Sequence, residues 1–304
     1  MDRPLRIGTR GSPLALAQAT MVAEALRRAH GWPDEAVTLV PITTSGDIIQ
    51  DRPLADIGGK ALWTKELDRC LLDGRTDLSV HSMKDVETIR PAELTIAATL
   101  PRADVRDRLI GGESITGLPN GARVGTSSPR RAAQLRRIRP DLIIMSFRGN
   151  VATRLDRIAR GEADATLLAA AGLDRLGLAV GTTISPEEML PAPAQGAIGI
   201  EIRTGDRTLE SLLAAIDHRP THACVTAERD LLAALGGTCR SPIAGLAVWE
   251  DGSIWLRAEI LSEDGREYEA AEARFATGDK AAPAALAGTL LERASANLRA
   301  LFAA

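Results

Sequence analysis

The chain has 304 residues, of which 45% are hydrophobic and 25% are charged, and its formal net charge is -3. This composition supports two or three domains with buried cores and excludes bulk disorder. The overall charge gives no electrostatic reason to expect nucleic-acid binding, and no stretch approaches the length of a membrane span.

The N-terminal residues 1–7 run directly into a strand pattern, and no apolar signal-peptide core precedes it. The three cysteines, Cys70, Cys224 and Cys239, cannot all pair with one another. Both features favour a reduced setting, so we expect a cytoplasmic protein that does not associate with membranes.

Two segments of the chain echo each other. The string RIGTRGSP at residues 6–13 recurs as RVGTSSP at residues 123–129, and each leads into a helical pattern. In both copies a later pair of strings, LDR with GRTD at 67–77 and LDR with GEAD at 155–164, precedes an apolar strand. Such a repeat is typical of two similar α/β domains, although short matches also arise by chance.

The first copy is longer than the second, and we place its extra segment at residues 43–60. This segment contains Gly46 followed by Asp47 and the pair Gly58 and Gly59. Such a sequence would suit a mobile lid over a binding site. An ordinary surface loop explains the same residues equally well.

Further apolar or β-rich runs predict strands at residues 37–42, 94–98, 142–146 and 197–202. Because these strands alternate with helical patterns, a mostly parallel sheet is expected in each half. The pattern changes after residue 221, where a helix at 221–235 leads to a glycine-rich loop, three strand-like runs and a final Ala- and Leu-rich helix. That part is expected to form a small α+β domain.

Two Ser-Pro pairs, at residues 12–13 and 128–129, are strong signals for the start of a helix. Each helix would direct its free N–H groups toward a strand end, where open α/β sheets bind ligands. Helix N-termini favour anions, but a simple cap without a ligand explains a single Ser-Pro pair as well.

Arginines are frequent near the predicted strand ends, and arginine is suited to bidentate binding of carboxylates. They are Arg10, Arg130, Arg131, Arg148, Arg154 and Arg175. One arginine on a helix surface is usually only solvated. Several at strand ends indicate a ligand with many carboxylates.

The string HSMKD at residues 81–85 also ends a strand and sets Lys84 beside Asp85. The two side chains could form a surface ion pair. Alternatively, a carboxylate at the ligand edge of a sheet could hold cationic N–H groups or transfer protons. In a dry site such a charge counts for much more than in water.

Cys70 and Cys224 lie in helical patterns typical of core packing. His218, His222 and Cys224 form a one-sided set that lacks a second cluster, so no metal site is expected. Cys239 lies instead in the loop string GGTCRSP at residues 236–242, next to Arg240. This context fits an accessible thiolate that serves as an attachment point, or a merely exposed loop cysteine.

Together these segments resemble the porphobilinogen deaminase (hydroxymethylbilane synthase) family. The matching strings are RIGTR with SPLAL at 6–16, GGK at 58–60, HSMKDV at 81–86, VGTSS with RR at 124–131, RGNV with TRL at 148–155, AGL at 171–173, QGA at 195–197 and the Cys239 loop. They occur in the family's order over nearly the whole chain. No single string is specific, but the ordered set is.

The resemblance implies two periplasmic-binding-protein-like (type II) α/β lobes with mainly parallel sheets and a small α+β C-terminal domain. We place domain 1 at 1–98 with 199–216, domain 2 at 104–192 and domain 3, with the cofactor cysteine, at 221–304. The implied cofactor is a dipyrromethane joined to Cys239 by a thioether. The implied transferase reaction condenses four porphobilinogen molecules with loss of ammonia, then releases hydroxymethylbilane by hydrolysis for tetrapyrrole biosynthesis.

The resemblance also implies roles for individual residues. Asp85 is expected to face the pyrrole N–H groups, stabilise cationic azafulvene intermediates and assist proton transfer. Residues expected to hold the acetates and propionates of the cofactor are Lys84, Ser128, Arg130 and Arg131. Residues expected to bind the incoming unit or the growing chain are Arg10, Thr126, Arg148, Arg154 and Arg175, with Ser12, Gln18 and Lys60 as lesser candidates.

The chain departs from familiar family patterns at several positions, among them Ala194, where glycine often precedes the Gln-Gly pair. The resemblance further implies a monomer that could hand its product to uroporphyrinogen III synthase. A rival hypothesis is a two-lobed anion-binding or sensor protein without catalysis, which would need neither Asp85 nor Cys239. A cysteine-dependent hydrolase would require a base near Cys239.

Overall fold

The computed structural model describes residues 3–44, 64–238 and 241–302. In chain order, the described strands are β1 (Leu5–Arg10), β2 (Val37–Ile42), β3 (Leu78–Ser82), β4 (Leu94–Thr99), β5 (Asp107–Ile110), β6 (Arg123–Gly125), β7 (Ile143–Met145), β8 (Ala165–Ala169), β9 (Thr182–Thr183), β10 (Ile198–Arg203), β11 (Ile243–Glu250), β12 (Ser253–Leu261) and β13 (Tyr268–Ala276). The strands predicted from the sequence in the first two-thirds of the chain correspond to β2, β4, β7 and β10.

The described α-helices are α1 (Pro13–His30), α2 (Lys65–Leu72), α3 (Pro129–Ile138), α4 (Val151–Ala159), α5 (Ala170–Arg175), α6 (Arg207–Leu213), α7 (Arg219–Ala234), α8 (Ala282–Arg293) and α9 (Ala296–Ala300). Short 3₁₀ turns lie at Asp34–Ala36 and Met83–Asp85. Within the described residues, no helix combines the length and the apolar character that crossing a membrane requires. Of the predicted lid at 43–60, residues 45–60 lie outside the described residues.

The chain divides into two compact units. Unit 1 comprises Met1–Ala103 and Ala197–His222, and unit 2 comprises Asp104–Gly196 and Ala223–Ala304. The predicted boundaries of three domains stay a prediction, since this division does not test them.

The sheet of unit 1 has the strand order β2-β1-β3-β10-β4. Strand β1 is parallel to β2 and β3, while β10 runs antiparallel to both β3 and β4. Helix α1 covers the sheet with Ala19, Val22 and Leu26, whose spacing places them on one helix face. The helix begins at Ser12, whose Oγ accepts the backbone N–H of Ala15 at 3.3 Å.

The first sheet of unit 2 has the order β7-β6-β8-β5-β9. Strand β6 is parallel to β7 and β8, and β5 is antiparallel to β8 and β9. This sheet therefore has the same arrangement as that of unit 1, with one antiparallel strand in fourth place. A separate antiparallel sheet, β11-β12-β13, packs against α7 and α8 around a core that includes Leu231, Leu256 and Leu290. The predicted fold class is confirmed.

The echo in the sequence corresponds to matching hydrogen bonds in the two units. In unit 1, Asp77 donates its backbone N–H to Arg6 O at 2.9 Å, and Asp77 Oδ2 accepts the backbone N–H of Arg6 at 2.8 Å. In unit 2, Asp164 makes the same two bonds with Arg123, at 2.8 and 2.7 Å. Each aspartate thus fixes the start of the third strand of its sheet against the start of the strand beside it.

Candidate active site

Lys84 and Asp85 lie in the 3₁₀ turn that directly follows β3 in unit 1. Met83 holds this turn to the sheet because its side chain is buried and its backbone N–H donates to Ala197 O at 3.1 Å. Gly199 of β10 leaves room for that side chain, since a Cβ at this position would lie 2.0 Å from Met83 Sδ. The position of the turn is therefore set by packing as well as by hydrogen bonds.

The Asp85 side chain is half-buried. Among the residues that the structure describes, its carboxylate makes no hydrogen bond or ion pair. Partial burial weakens the screening of a charge by water, so a cation placed beside this carboxylate would interact with it strongly. The geometry leaves this carboxylate able to accept N–H groups from a ligand.

Other predicted site residues of unit 1 lie near the same edge of the sheet. Arg10 is the last residue of β1, and Ser12 caps α1 directly after it. Gln18 of α1 is buried, and its Nε2 donates to Ser82 Oγ at 2.8 Å, just before the turn that carries Asp85. Because β1 and β3 are parallel neighbours, their carboxyl ends bring Arg10 and the turn to one edge.

In unit 2, the predicted anion-binding residues follow three neighbouring strands. Thr126 and Ser128 follow β6, Arg148 follows β7, and Arg175 ends the helix that follows β8. Ser128 caps α3, with its Oγ accepting the backbone N–H of Arg131 at 3.4 Å. The structure therefore collects these side chains at the carboxyl edge of the unit 2 sheet, as parallel strands require.

Arg154 and Arg175 belong to the helices at that same edge. Arg154 Nε donates to Gly149 O at 3.1 Å, and Arg175 Nη2 donates to Gly196 O at 2.7 Å. Within the described residues, the buried Nε of Arg175 has no hydrogen-bond partner. Burial lowers the pKa of Arg175 to about 10, while the charge of Asp174 opposes that shift. An incoming carboxylate would pair with the guanidinium and offset the unfavourable free energy of burying its positive charge.

Arg130 and Arg131 are buried and both bond to Asp107. Arg130 Nη2 donates to Asp107 Oδ2 at 2.7 Å, while Arg131 donates to Oδ1 at 2.7 Å and to Oδ2 at 3.1 Å. Gln195 Nε2 adds a bond to Oδ1 at 2.8 Å. Burial alone would raise the pKa of Asp107, but the charges and hydrogen bonds of Arg131 and Arg130 outweigh it and hold that pKa well below its ordinary value. That these arginines bind the cofactor stays a prediction.

Sequence reasoning missed several buried carboxylates, Asp107 and Glu201 among them. Asp107 lies between two arginines in the sequence and looks there like ordinary surface charge. Glu201 lies in an apolar strand, and a carboxylate in such a strand was the one available signal of a buried partner.

Two predicted site residues, Lys60 and Cys239, lie outside the described residues. Next to Cys239, Thr238 donates its backbone N–H to Ser241 Oγ at 3.1 Å, and Ser241 N donates to Thr238 O at 3.0 Å. Cys70 and Cys224 are each 4% exposed, which confirms that they pack in the core.

The fold and these residues define an α/β protein with two similar five-stranded sheets. At its strand ends, one sheet carries a carboxylate that has no ion pair among the described residues, and the other carries several arginines. Residues 5–211 match the family model described as porphobilinogen deaminase, dipyromethane cofactor binding domain, and residues 222–295 match porphobilinogen deaminase, C-terminal domain. The chain belongs to the porphobilinogen deaminase family.

The chain is 57% identical to the porphobilinogen deaminase of Sphingopyxis alaskensis, with 99% of this chain and 98% of that protein covered. It is 51% identical to the porphobilinogen deaminase of Paracoccus denitrificans, with 92% and 91% covered. Among solved structures, a periplasmic substrate-binding protein of an ABC transporter from Coxiella burnetii is similar over 74% of this chain and 94% of its own, with 16% identity and a TM-score of 0.42.

These comparisons confirm the predicted family, the transferase activity and the dipyrromethane cofactor. The enzyme condenses four porphobilinogen molecules stepwise with release of ammonia and then releases hydroxymethylbilane by hydrolysis. The family models and the curated relatives give no support to the rival hypothesis of a two-lobed binding protein without catalysis.

Proposed function

We propose that Asp85 is the catalytic residue of this reaction and that arginines at the strand ends of unit 2 bind the carboxylates of the substrate and the growing chain. The observation that carries the proposal is the half-buried Asp85 carboxylate, held on a fixed turn without an ion pair among the described residues. Porphobilinogen becomes a delocalised pyrrole cation when its aminomethyl carbon loses ammonia. A fixed carboxylate beside the ring N–H stabilises that developing charge.

The reaction also requires proton transfer, and we assign it to Asp85. The amine leaves as neutral ammonia only from its protonated form, and the ring carbon that forms the new bond must later lose its own proton. A carboxylate that accepts the ring N–H lies close enough to the reacting carbons to receive that proton, directly or through one water molecule. We assign both the charge stabilisation and this proton transfer to Asp85.

The dipyrromethane needs a cysteine as its point of attachment. When bound, this group supplies the terminal pyrrole ring to which the first porphobilinogen is joined. The attachment point is Cys239, which the burial of Cys70 and Cys224 supports, because a thiol that carries a large group must be accessible.

Lys84 and Ser128 would hold carboxylates of the cofactor together with Arg130 and Arg131. Besides their bonds to Asp107, Arg130 Nη1 donates to Gln134 Oε1 and Leu190 O, and Arg131 Nη1 donates to Leu167 O. Within the described residues these bonds use three of the five N–H groups of each guanidinium, which leaves two on each for a ligand. Two arginines on one carboxylate also leave an excess positive charge there, which favours a further anion.

The incoming unit and the growing chain need cations that do not serve the cofactor. Each added pyrrole brings two more carboxylates. The half-buried Arg175, whose Nε has no hydrogen-bond partner among the described residues, is well suited to receive one. The full set that we assign to this role is Arg10, Thr126, Arg148, Arg154 and Arg175, with Ser12, Gln18 and Lys60 as secondary contacts.

Intact-mass spectrometry tests the tether. Protein purified from a host that makes porphobilinogen should carry the mass of one dipyrromethane and turn pink with Ehrlich's reagent. Cys239→Ser should lack both, whereas the matched control Cys224→Ser should keep both. An unmodified wild-type chain, or a modified Cys239→Ser chain, would contradict the attachment.

We further propose that the enzyme is a cytoplasmic monomer that passes hydroxymethylbilane to uroporphyrinogen III synthase. Membership of the family supports this proposal. Light scattering during gel filtration should give the mass of one 32.2 kDa chain. A dimer mass across the accessible concentration range would refute the monomer.

A further inference from the structure

The turn that carries Asp85 lies in a segment, residues 81–90, whose two ends bond to the same buried carboxylate. At one end, His81 Nε2 lies 3.0 Å from Glu201 Oε2. At the other end, Arg90 Nε donates to Glu201 Oε1 at 2.8 Å and Arg90 Nη2 donates to Oε2 at 2.9 Å. Glu201 is fully buried in β10, so it fixes both ends of the segment to the sheet.

Arg90 makes further bonds, among them one to a residue of this segment and one to helix α2. Its Nη1 donates to Glu87 Oε2 at 2.6 Å, and its Nη2 donates to Asp68 Oδ1 of α2 at 2.5 Å. Thr64 Oγ1 also donates to the same Glu87 oxygen, at 2.7 Å. The side chain of Arg90 is only 9% exposed. One planar guanidinium therefore joins β10, α2 and the residues that follow the turn.

The charges around Arg90 make this cation hard to replace. Three carboxylates, those of Asp68, Glu87 and Glu201, converge on it. Burial alone would raise the pKa of Glu201, but the bonds from His81 and Arg90 lower it to about 2. Without the guanidinium, Glu201 and its neighbours would repel one another, and residues 87–90 would lose their attachment to the sheet.

We infer that Arg90 is a positioning residue for Asp85, which it holds in place by closing the segment 81–90 onto Glu201. This inference rests on the catalytic role proposed for Asp85. Pairing of β10 with β3, from Ile198 opposite Ser82 to Glu201 opposite Ser79, does not involve the Arg90 side chain. Loss of Arg90 should therefore loosen the segment rather than separate the strands.

The experiment measures kcat and KM for porphobilinogen in Arg90→Gln and Arg90→Lys. In Arg90→Gln we expect kcat to fall about 10- to 100-fold with KM changed less than about threefold, because displacement of a catalytic group mainly reduces the chemical step. Arg90→Lys keeps the charge but not the planar fork, so its loss should be intermediate. Intact mass should still include the dipyrromethane in both variants.

The matched control is Arg203→Gln, in the same strand as Glu201. Arg203 donates to the carbonyl oxygens of Leu71 and Thr76 and does not bond to the segment 81–90. It should lower Tm but keep kcat within about twofold of the wild type. If Arg203→Gln lost as much kcat as Arg90→Gln at equal loss of Tm, a general structural role would explain both and overturn the inference.

Two further variants keep the inference testable. If Arg90→Gln fails to fold, Glu87→Gln removes the negative charge that pairs with Arg90 within the segment and should still lower kcat with little change in KM. Wild-type kcat in Glu87→Gln would overturn the inference. In an Asp85→Asn background, Arg90→Gln should cause little further loss of kcat, since Arg90 acts through Asp85.

Two outcomes distinguish this inference from the proposed function. Low kcat in Asp85→Asn with wild-type kcat in Arg90→Gln would refute the positioning role alone. Wild-type kcat in Asp85→Asn would refute the proposed function itself.

Discussion

The five-stranded sheets of unit 1 and unit 2 have the same strand order, yet the charges buried beside them differ in sign. In unit 1, three carboxylates surround the single guanidinium of Arg90. In unit 2, Arg130 and Arg131 share the single carboxylate of Asp107. The topology thus fixes where strand ends lie, while a few residues decide whether a unit favours cations or anions. This difference fits the proposal that unit 1 supplies the catalytic carboxylate and that unit 2 binds the carboxylates of the ligand.

The largest loss of stability is expected from Asp107→Asn, which tests the charge cluster of unit 2. It would leave two buried guanidiniums without their carboxylate, so we expect a loss of about 3–5 kcal/mol in the free energy of unfolding. Asp104→Asn is the control, because Asp104 pairs with Arg106, whose side chain is 46% exposed, and should cost less than about 1 kcal/mol. Urea denaturation measures both; equal small losses would show that the buried cluster does not stabilise unit 2.

The pH dependence of stability tests the charge cluster of unit 1. The folded-state pKa of Glu201 is lowered to about 2, whereas an unfolded glutamate titrates near about 4.3. A lowered pKa contributes stability above the unfolded value, and that stability is lost as the pH falls. We expect the wild type to lose on the order of 3 kcal/mol more than Glu201→Gln between about pH 5 and pH 2. Denaturation at a series of pH values gives this difference, and parallel curves would contradict it.

Gly199→Ala tests whether packing fixes the turn before Asp85. The new Cβ would lie 2.0 Å from Met83 Sδ, so Met83 and the turn must move. We expect a loss of about 1–3 kcal/mol in stability, accompanied by a lower kcat. The control is Gly245→Ala in β11, where the nearest atom to a Cβ would be Pro193 Cγ at 3.5 Å, an ordinary contact. Wild-type kcat in Gly199→Ala would mean that this packing does not position Asp85.

The strand ends could be predicted from the sequence, because their signals are local. Ser12 and Ser128 are followed by prolines, and both cap helices as expected. The string HSMKD places Asp85 directly after a strand, which the structure bears out. Such features can be predicted from local secondary-structure propensity, helix-capping residues and hydrophobic periodicity.

The buried charge clusters could not be predicted, because their partners are far apart in the chain. Glu201 reaches Arg90 only because β10 returns to unit 1 and lies between β3 and β4. Arg130 and Arg131 were expected to hold carboxylates of the cofactor, and nothing in the sequence indicated that a tertiary partner, Asp107, also bonds to both guanidiniums. Sequence spacing does not contain these pairings, which depend on topology.

The most direct test of the account compares the turnover of Asp85→Asn with that of the wild type, after intact mass has shown the dipyrromethane on both. We predict that kcat falls about 10³-fold while the tether is kept, because the variant loses its negative charge and its proton acceptor but little of its shape. An Asp85→Asn enzyme that carries the cofactor and turns over within tenfold of the wild type would contradict the central claim that unit 1 supplies the catalytic carboxylate.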